Sequence, residues 1–201
     1  MKELKVKALA RVEGHGGITV LLKDKEVKEV RVDILEGPRL VETLVIGATP
    51  DETVDTVCRI CAICYVSHRL ASVKGLEKAL GIKVPKETQH LRELLHLGEM
   101  IESHALHVFL LALPDFLGYP SAVAMANDHP EEVKMALALK KFGNRVMEMV
   151  NARMIHGKNV VVGGFGKKPS SEELLSLKRE AAWLLPFAER AVELVAGVSL
   201  P

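Results

Sequence analysis

Aromatic residues are scarce in this 201-residue sequence: five Phe, two Tyr and one Trp, 4% of the chain. That leaves no row of rings on which nucleic-acid bases could stack. Charge of one sign is not in excess either. The 27 Lys and Arg face 26 Asp and Glu, for a net +1, so the electrostatic footprint of a nucleic-acid binder is absent. No apolar run approaches the roughly 18 to 20 residues that span a bilayer. Met1-Lys2-Glu3-Leu4-Lys5 lacks the apolar segment of a signal peptide. The expectation is a cytoplasmic protein with no membrane span. Cysteine is limited to Cys58, Cys61 and Cys64, all within seven residues. This distribution suits holding a metal and is poor for stapling a fold. One Gln and four Asn point to a thermophilic source.

What remains is ordinary globular material, 48% hydrophobic and 26% charged, enough for one substantial core. The first 36 residues alternate like strands: Leu4, Val6 and Ala8, then Ile18, Val20 and Leu22, then Val27, Val30, Val32 and Ile34. With a turn at Asp24-Lys25 this predicts a three-stranded antiparallel meander, and Glu13-Gly14-His15-Gly16-Gly17 falls in its first loop. Beyond it the period becomes helical. Expected helices cover Arg39 to Ile46, Asp51 to Ile60, Cys64 to Leu80, Lys86 to Leu113 and Glu131 to His156. A last helix starts at the capping box Ser170 to Glu173, with Pro186 expected to kink or split it. The fold class is therefore α+β and predominantly helical: a small N-terminal β-meander over residues 1–36, then a long-helix bundle over 37–201. Val160 to Ser171, with Gly163-Gly164-Phe165-Gly166, reads as a loop; it lacks the Lys-Ser or Lys-Thr of a phosphate loop.

The chemistry concentrates in Arg59-Ile60-Cys61-Ala62-Ile63-Cys64-Tyr65-Val66-Ser67-His68. If the stretch is helical, Cys61, Cys64 and His68 at i, i+3 and i+7 share a face. Arg59 two residues upstream favours the thiolate that soft metals bind. A Cys-x-x-Cys with a following His also fits half of a structural zinc site, with Cys58 as a third sulfur, or a redox pair. On the long helix, His96, Met100, His104, His107 and Leu111 form one mixed stripe. His104 and His107 gain roles only if a metal lies beside it, by orienting ligands or relaying protons. Glu13, His15, Glu36 and Glu42 are by default surface groups, any one of which can move a proton or bind a hard cation.

Taken together, these residues resemble the large subunit of nickel-iron hydrogenases, nearest to the soluble type coupled to NAD(P) or a deazaflavin. The resemblance covers nearly the whole chain as the N-terminal half of that subunit. It is carried by Arg11-Val12-Glu13-Gly14-His15, by Glu36-Gly37-Pro38-Arg39 with Glu42, by Arg59 to His68, and by Ser103 to His107 running into Leu113-Pro114-Asp115. A weaker block is Met154-Ile155-His156 with Gly163-Gly164-Phe165.

The resemblance implies that Cys61 is a terminal nickel ligand and Cys64 a thiolate bridging nickel and an iron that carries carbon monoxide and cyanide. It implies that Glu13 passes protons to or from a nickel-bound cysteine and that Glu42, ahead of Glu36, binds a magnesium ion. His68 and His104 would orient the centre, while Arg59 and His15 would lie along its cofactor-binding side, Arg59 towards an iron-sulfur small subunit. Implied partners are that small subunit with its clusters, an NAD(P)- or deazaflavin-linked electron-transfer subunit, and, if the large subunit is split, its C-terminal half. Two departures stand out. Ala62 replaces the family's glycine, and the second Cys-x-x-Cys of the family is missing. Two thiolates cannot complete a four-thiolate centre, so the expected activity, reversible oxidation of dihydrogen, requires sulfurs from elsewhere. The alternatives are a non-enzymatic scaffold module of the same descent and a structural zinc protein.

Overall fold

The computed structural model describes residues 1–10 and 12–198; Arg11 of the first sequence block and residues 199–201 lie outside them. The chain divides into two compact units, Met1–Thr43 and Leu44–Pro201.

In the first unit, strands β1 (Lys2–Val6), β2 (Gly16–Lys23) and β3 (Glu26–Ile34) pair antiparallel in the order β1-β2-β3. The β2–β3 hairpin closes through Asp24 and Lys25, both at positive φ (52° and 70°). That geometry matches the right-handed twist of the flanking strands. Register places Leu4, Val20 and Val30 side by side, and likewise Val6, Ile18 and Val32. One face of the sheet is therefore apolar, because side chains alternate along each strand. It is also open: Leu4, Val6, Val30, Val32 and Ile34 are 45–73% exposed. Helix α1 (Pro38–Val45) follows.

The second unit is built on helices α2 (Pro50–Val57), α3 (Tyr65–Leu80), α4 (Lys86–Leu106), α7 (Pro130–Asn151) and α8 (Ser171–Ala196). Short helices α5 (Leu113–Phe116) and α6 (Ala122–Met125) lie between α4 and α7. Thr49 and Ser170 cap α2 and α8 with reciprocal Glu52 and Glu173 bonds; the second is the capping box the sequence suggests. Helices α4 and α7 cross at Gly98 and Gly143, where an added Cβ on Gly143 would stand 2.5 Å from the Gly98 carbonyl oxygen. Their backbones touch there because neither residue carries a side chain. The core gathers Tyr65, Val73, Leu95, Phe109, Val146 and Leu184.

Three helical expectations and one loop need correction. The long helix does not run unbroken to Leu113. It widens into a π-helical stretch at His107–Ala112, upstream of Pro114, whose missing amide cannot close onto Leu110. Helix α7 stops at Asn151 instead of His156, because Ala152 turns left-handed (φ 68°). Pro186 does not split α8; the helix continues past it, and Trp183 and Phe187 stack edge-on across it at 5.2 Å. Finally, Val160–Val161 (β4) and Gly164–Phe165 (β5) form a small hairpin within the expected loop.

Candidate metal centre

The segment carrying the cysteines is not one helix. Cys58–Ile60 forms a 3-10 turn, Cys61 is extended (φ −140°, ψ 141°), and α3 starts only at Tyr65 with Cys64 as its cap residue. The physical reason is local. The Cys61 sulfur accepts the Cys64 amide at 3.0 Å, a side-chain bond that competes with helical pairing. That bond brings the two cysteines together, and burial with the neighbouring Cys61 pushes the Cys64 thiol up to about 12. No cation is among the causes. The expectation that Arg59 lowers it is therefore not met, and Arg59 sits exposed on the 3-10 turn.

Behind this turn, α3 begins with two anchors. The Tyr65 hydroxyl donates to the Arg153 carbonyl at 3.0 Å, and its ring meets His156 at 5.7 Å. Glu99, on α4 and 2% exposed, accepts the amides of Val66 (2.7 Å) and Ser67 (3.1 and 3.2 Å) and the Ser67 hydroxyl. Composition and spacing gave no hint of this role for Glu99, because its partners lie more than thirty residues away in sequence. Its position on the buried face of α4, beside Leu95 and Glu102, was the available signal.

Cys58 belongs to a different cluster. Its thiol donates to the Asp55 carbonyl at 3.3 Å, and Arg69 reaches both Cys58 (3.8 Å) and the Asp55 carboxylate (2.9 Å). Burial pushes the Asp55 carboxyl up, but hydrogen bonds from Lys158 and Arg69 outweigh it and hold the group below its ordinary value. Among the described residues, no three His, Cys, Asp or Glu side chains gather to hold a metal. A zinc site of Cys58, Cys61 and Cys64 does not form.

His68 is half-buried on the first turn of α3, where its amide donates to the Cys64 carbonyl at 3.3 Å. His104 is exposed and lines an apolar groove of about 700 Å³ between α4, α7 and α8, with Phe109, Phe142, Leu184 and Val195. In the first unit, Glu13 is exposed in the β1–β2 loop. The His15 amide donates to Glu36 at 3.0 Å, and Glu42 stands 3.4 Å from Arg39 on the exposed side of α1.

The donor set can be tested against nickel and iron on this geometry. Two cysteines brought together on one turn suit a soft metal that takes further thiolates from another source. They fit half of a four-sulfur centre.

Comparison with known proteins places the chain in a family. Residues 39–156 match the family described as nickel-dependent hydrogenase, and residues 3–36 match the HoxL-like family. Sulfhydrogenase 2 subunit alpha of Pyrococcus furiosus is 49% identical over 93% of this chain and 45% of its own length. Sulfhydrogenase 1 subunit alpha of the same organism is 45% identical over 94% of this chain and 44% of its own. The crystal structure of an NAD+-reducing [NiFe]-hydrogenase in the H2-reduced state superposes with a TM-score of 0.83 at 34% identity. That match covers 98% of this chain and 45% of the other. The chain thus spans less than half the length of the relatives it matches.

Proposed function

The chain belongs to the nickel-dependent hydrogenase family, and from that premise we propose that it is the N-terminal part of a hydrogenase large subunit. Its function is reversible oxidation of dihydrogen, carried out together with polypeptide that supplies two further thiolates. The observation that carries the reading is the convergent pair Cys61 and Cys64, joined by the 3.0 Å amide-to-sulfur bond.

In this reading Cys61 and Cys64 would hold nickel through their sulfurs, Cys64 also serving the iron, whose further ligands would be carbon monoxide and cyanide. When bound, the metal pair polarises dihydrogen for heterolytic cleavage. The chain's own residues do the rest. Glu13 moves the proton between a cysteine sulfur and the surface. Glu42 holds a magnesium ion through oxygen, a donor type that suits hard cations. His68 and His104 orient the centre, and Arg59 and His15 line its cofactor-binding side. Partners are an iron-sulfur small subunit, met on the Arg59 side, and an NAD(P)- or deazaflavin-linked electron-transfer subunit.

If the large subunit is split, the third partner is the polypeptide equivalent to the relatives' remaining half. Its supporting observation is uncovered apolar surface: the open face of the β-sheet and, separately, the groove lined by Phe109, Phe142 and Leu184. Contiguous apolar patches of this kind mark interaction sites. No helix among the described residues is long and apolar enough to cross a membrane, and we place the assembly in the cytoplasm.

Metal analysis of the complete assembly tests the reading. Cys64→Ala is expected to lose nickel and hydrogen uptake together; an assembly that keeps both would sink it.

A further inference from the structure

A cysteine that must present its sulfur to a metal cannot also cap the helix it begins. Caps are normally Ser, Thr, Asp or Asn, whose side-chain oxygen accepts an amide two or three positions on. Cys64 occupies the cap position of α3 and makes no such bond. The neighbouring Cys61 sulfur takes the Cys64 amide; the amides of Val66 and Ser67 follow in the first helical turn. In the interior these donors require a partner.

Glu99 provides it from a different helix. One carboxylate oxygen takes the Val66 amide, both take the Ser67 amide, and the Ser67 hydroxyl closes on the second. Three donor groups on a side chain that is 2% exposed leave it no freedom to rotate. The two residues it grips stand second and third after Cys64. Fixing them fixes the rotation of the first turn of α3, and with it the direction in which Cys64 leaves that turn. Titratable groups beside Glu99 are Cys64 and Tyr65 at the start of α3 and, on its own helix, His96 with Nδ1 3.7 Å away.

We propose that Glu99 is a positioning residue for the two-sulfur turn: from α4 it supplies the cap that Cys64 cannot, and so sets the separation and direction of the Cys61 and Cys64 sulfurs. The proposal deepens the nickel reading and rests on it for its function, but its geometry can be tested without nickel.

Phenylarsine oxide bridges two adjacent thiols, forming two As–S bonds and releasing one water, and its affinity reads their separation. It is titrated into the 201-residue chain carrying Cys58→Ala, with Glu99 as wild type, Ala, Gln or Asp, and urea midpoints are recorded in parallel. Glu99→Ala is expected to weaken arsenical binding about tenfold or more, the scale seen when groups that orient metal ligands are removed. Glu99→Gln keeps an oxygen for the Val66 and Ser67 amides and is expected to recover most of the loss. Glu99→Asp keeps the charge but retracts the oxygens, and is expected to bind weakly. It also serves where the Ala variant does not fold.

Unchanged arsenical affinity in the Ala and Asp variants, with only the urea midpoint lowered, would make Glu99 a stabilising cap and overturn the proposal. A Gln variant as weak as Ala would overturn it too. An arsenical series that behaves as expected, in a protein whose assembled form never takes up nickel, would support the role of Glu99 while overturning the hydrogenase reading.

Discussion

Glu77 of α3 and Arg92 of α4 form a two-point ion pair, Nη1 to Oε2 at 2.8 Å and Nη2 to Oε1 at 2.6 Å, with side chains 7% and 3% exposed. The same two groups hold the β4–β5 hairpin, since Arg92 donates to the Val161 carbonyl and the Gly163 amide donates to Glu77. Loss of one member strands the other charge in the interior, which costs about 3–5 kcal/mol in comparable pairs. Glu77→Ala is therefore expected to lower the unfolding free energy by about 3 kcal/mol in urea titrations. Glu42→Ala, which removes the exposed pair with Arg39, is expected to leave the midpoint unchanged. A Glu77→Ala loss below about 1 kcal/mol would contradict the buried-pair account.

Asp55 gives the pH dependence its sign. Its carboxyl is held below the ordinary value in the folded chain, with Lys158 and Arg69 outweighing burial. A depressed folded pKa contributes stability that is complete above the unfolded value, about 3.9, and is lost as pH falls through the folded one. The gap in urea midpoint between wild type and Asp55→Asn is expected to be constant near neutrality and to narrow below about pH 4. A gap that widens with acid would show that the sign is wrong.

The crossing of α4 and α7 is expected to tolerate no methyl group at Gly143. A Cβ there meets backbone, the Gly98 oxygen at 2.5 Å and the Glu102 nitrogen at 2.7 Å, whereas one at Gly98 meets first the Val146 side chain at 2.7 Å. Side chains yield more easily than backbone, and overpacking typically costs about 1–3 kcal/mol. Gly143→Ala should sit at or above the upper end of that range and exceed Gly98→Ala, as thermal or urea unfolding will show. Equal losses would mean that the helices slide apart freely.

How much of this was legible in the sequence follows from where each determinant lies. The meander could be read because Leu4, Ile18, Val20, Val30 and Val32 alternate, and alternation is a local property. The start of α8 could be read because Ser170–Glu173 is complete within four residues. The π-helical stretch at His107–Ala112 could not, since an apolar run looks the same whether each turn holds one residue more or fewer. That α8 continues past Pro186 without splitting was not legible, because the cost of proline is local while the Trp183–Phe187 contact across it is not seen in the sequence. At the site, the Cys-x-x-Cys named the metal chemistry. The break in helix between Cys61 and Cys64 depends on a sulfur-to-amide bond that residue spacing does not encode. The grip of Glu99 on Val66 and Ser67 is tertiary, and no window of sequence contains both ends of it.

The two sulfur environments separate the hydrogenase reading from the zinc reading in one experiment. Cys58 is 2% exposed, gives its thiol to the Asp55 carbonyl and lies against Arg69; Cys64 converges on Cys61 and is only partly buried. In the assembled enzyme, Cys58→Ala is expected to keep nickel at the wild-type ratio and to cost about 1–2 kcal/mol of stability, the range for a lost buried contact. Cys61→Ala and Cys64→Ala are each expected to lose nickel without a comparable loss of fold. Nickel and zinc per chain, measured by mass spectrometry on the same preparations, provide the check. A three-thiol zinc site requires all three variants to lose zinc equally. If instead Cys58→Ala alone emptied the protein of metal, the pair at Cys61 and Cys64 would not be the centre.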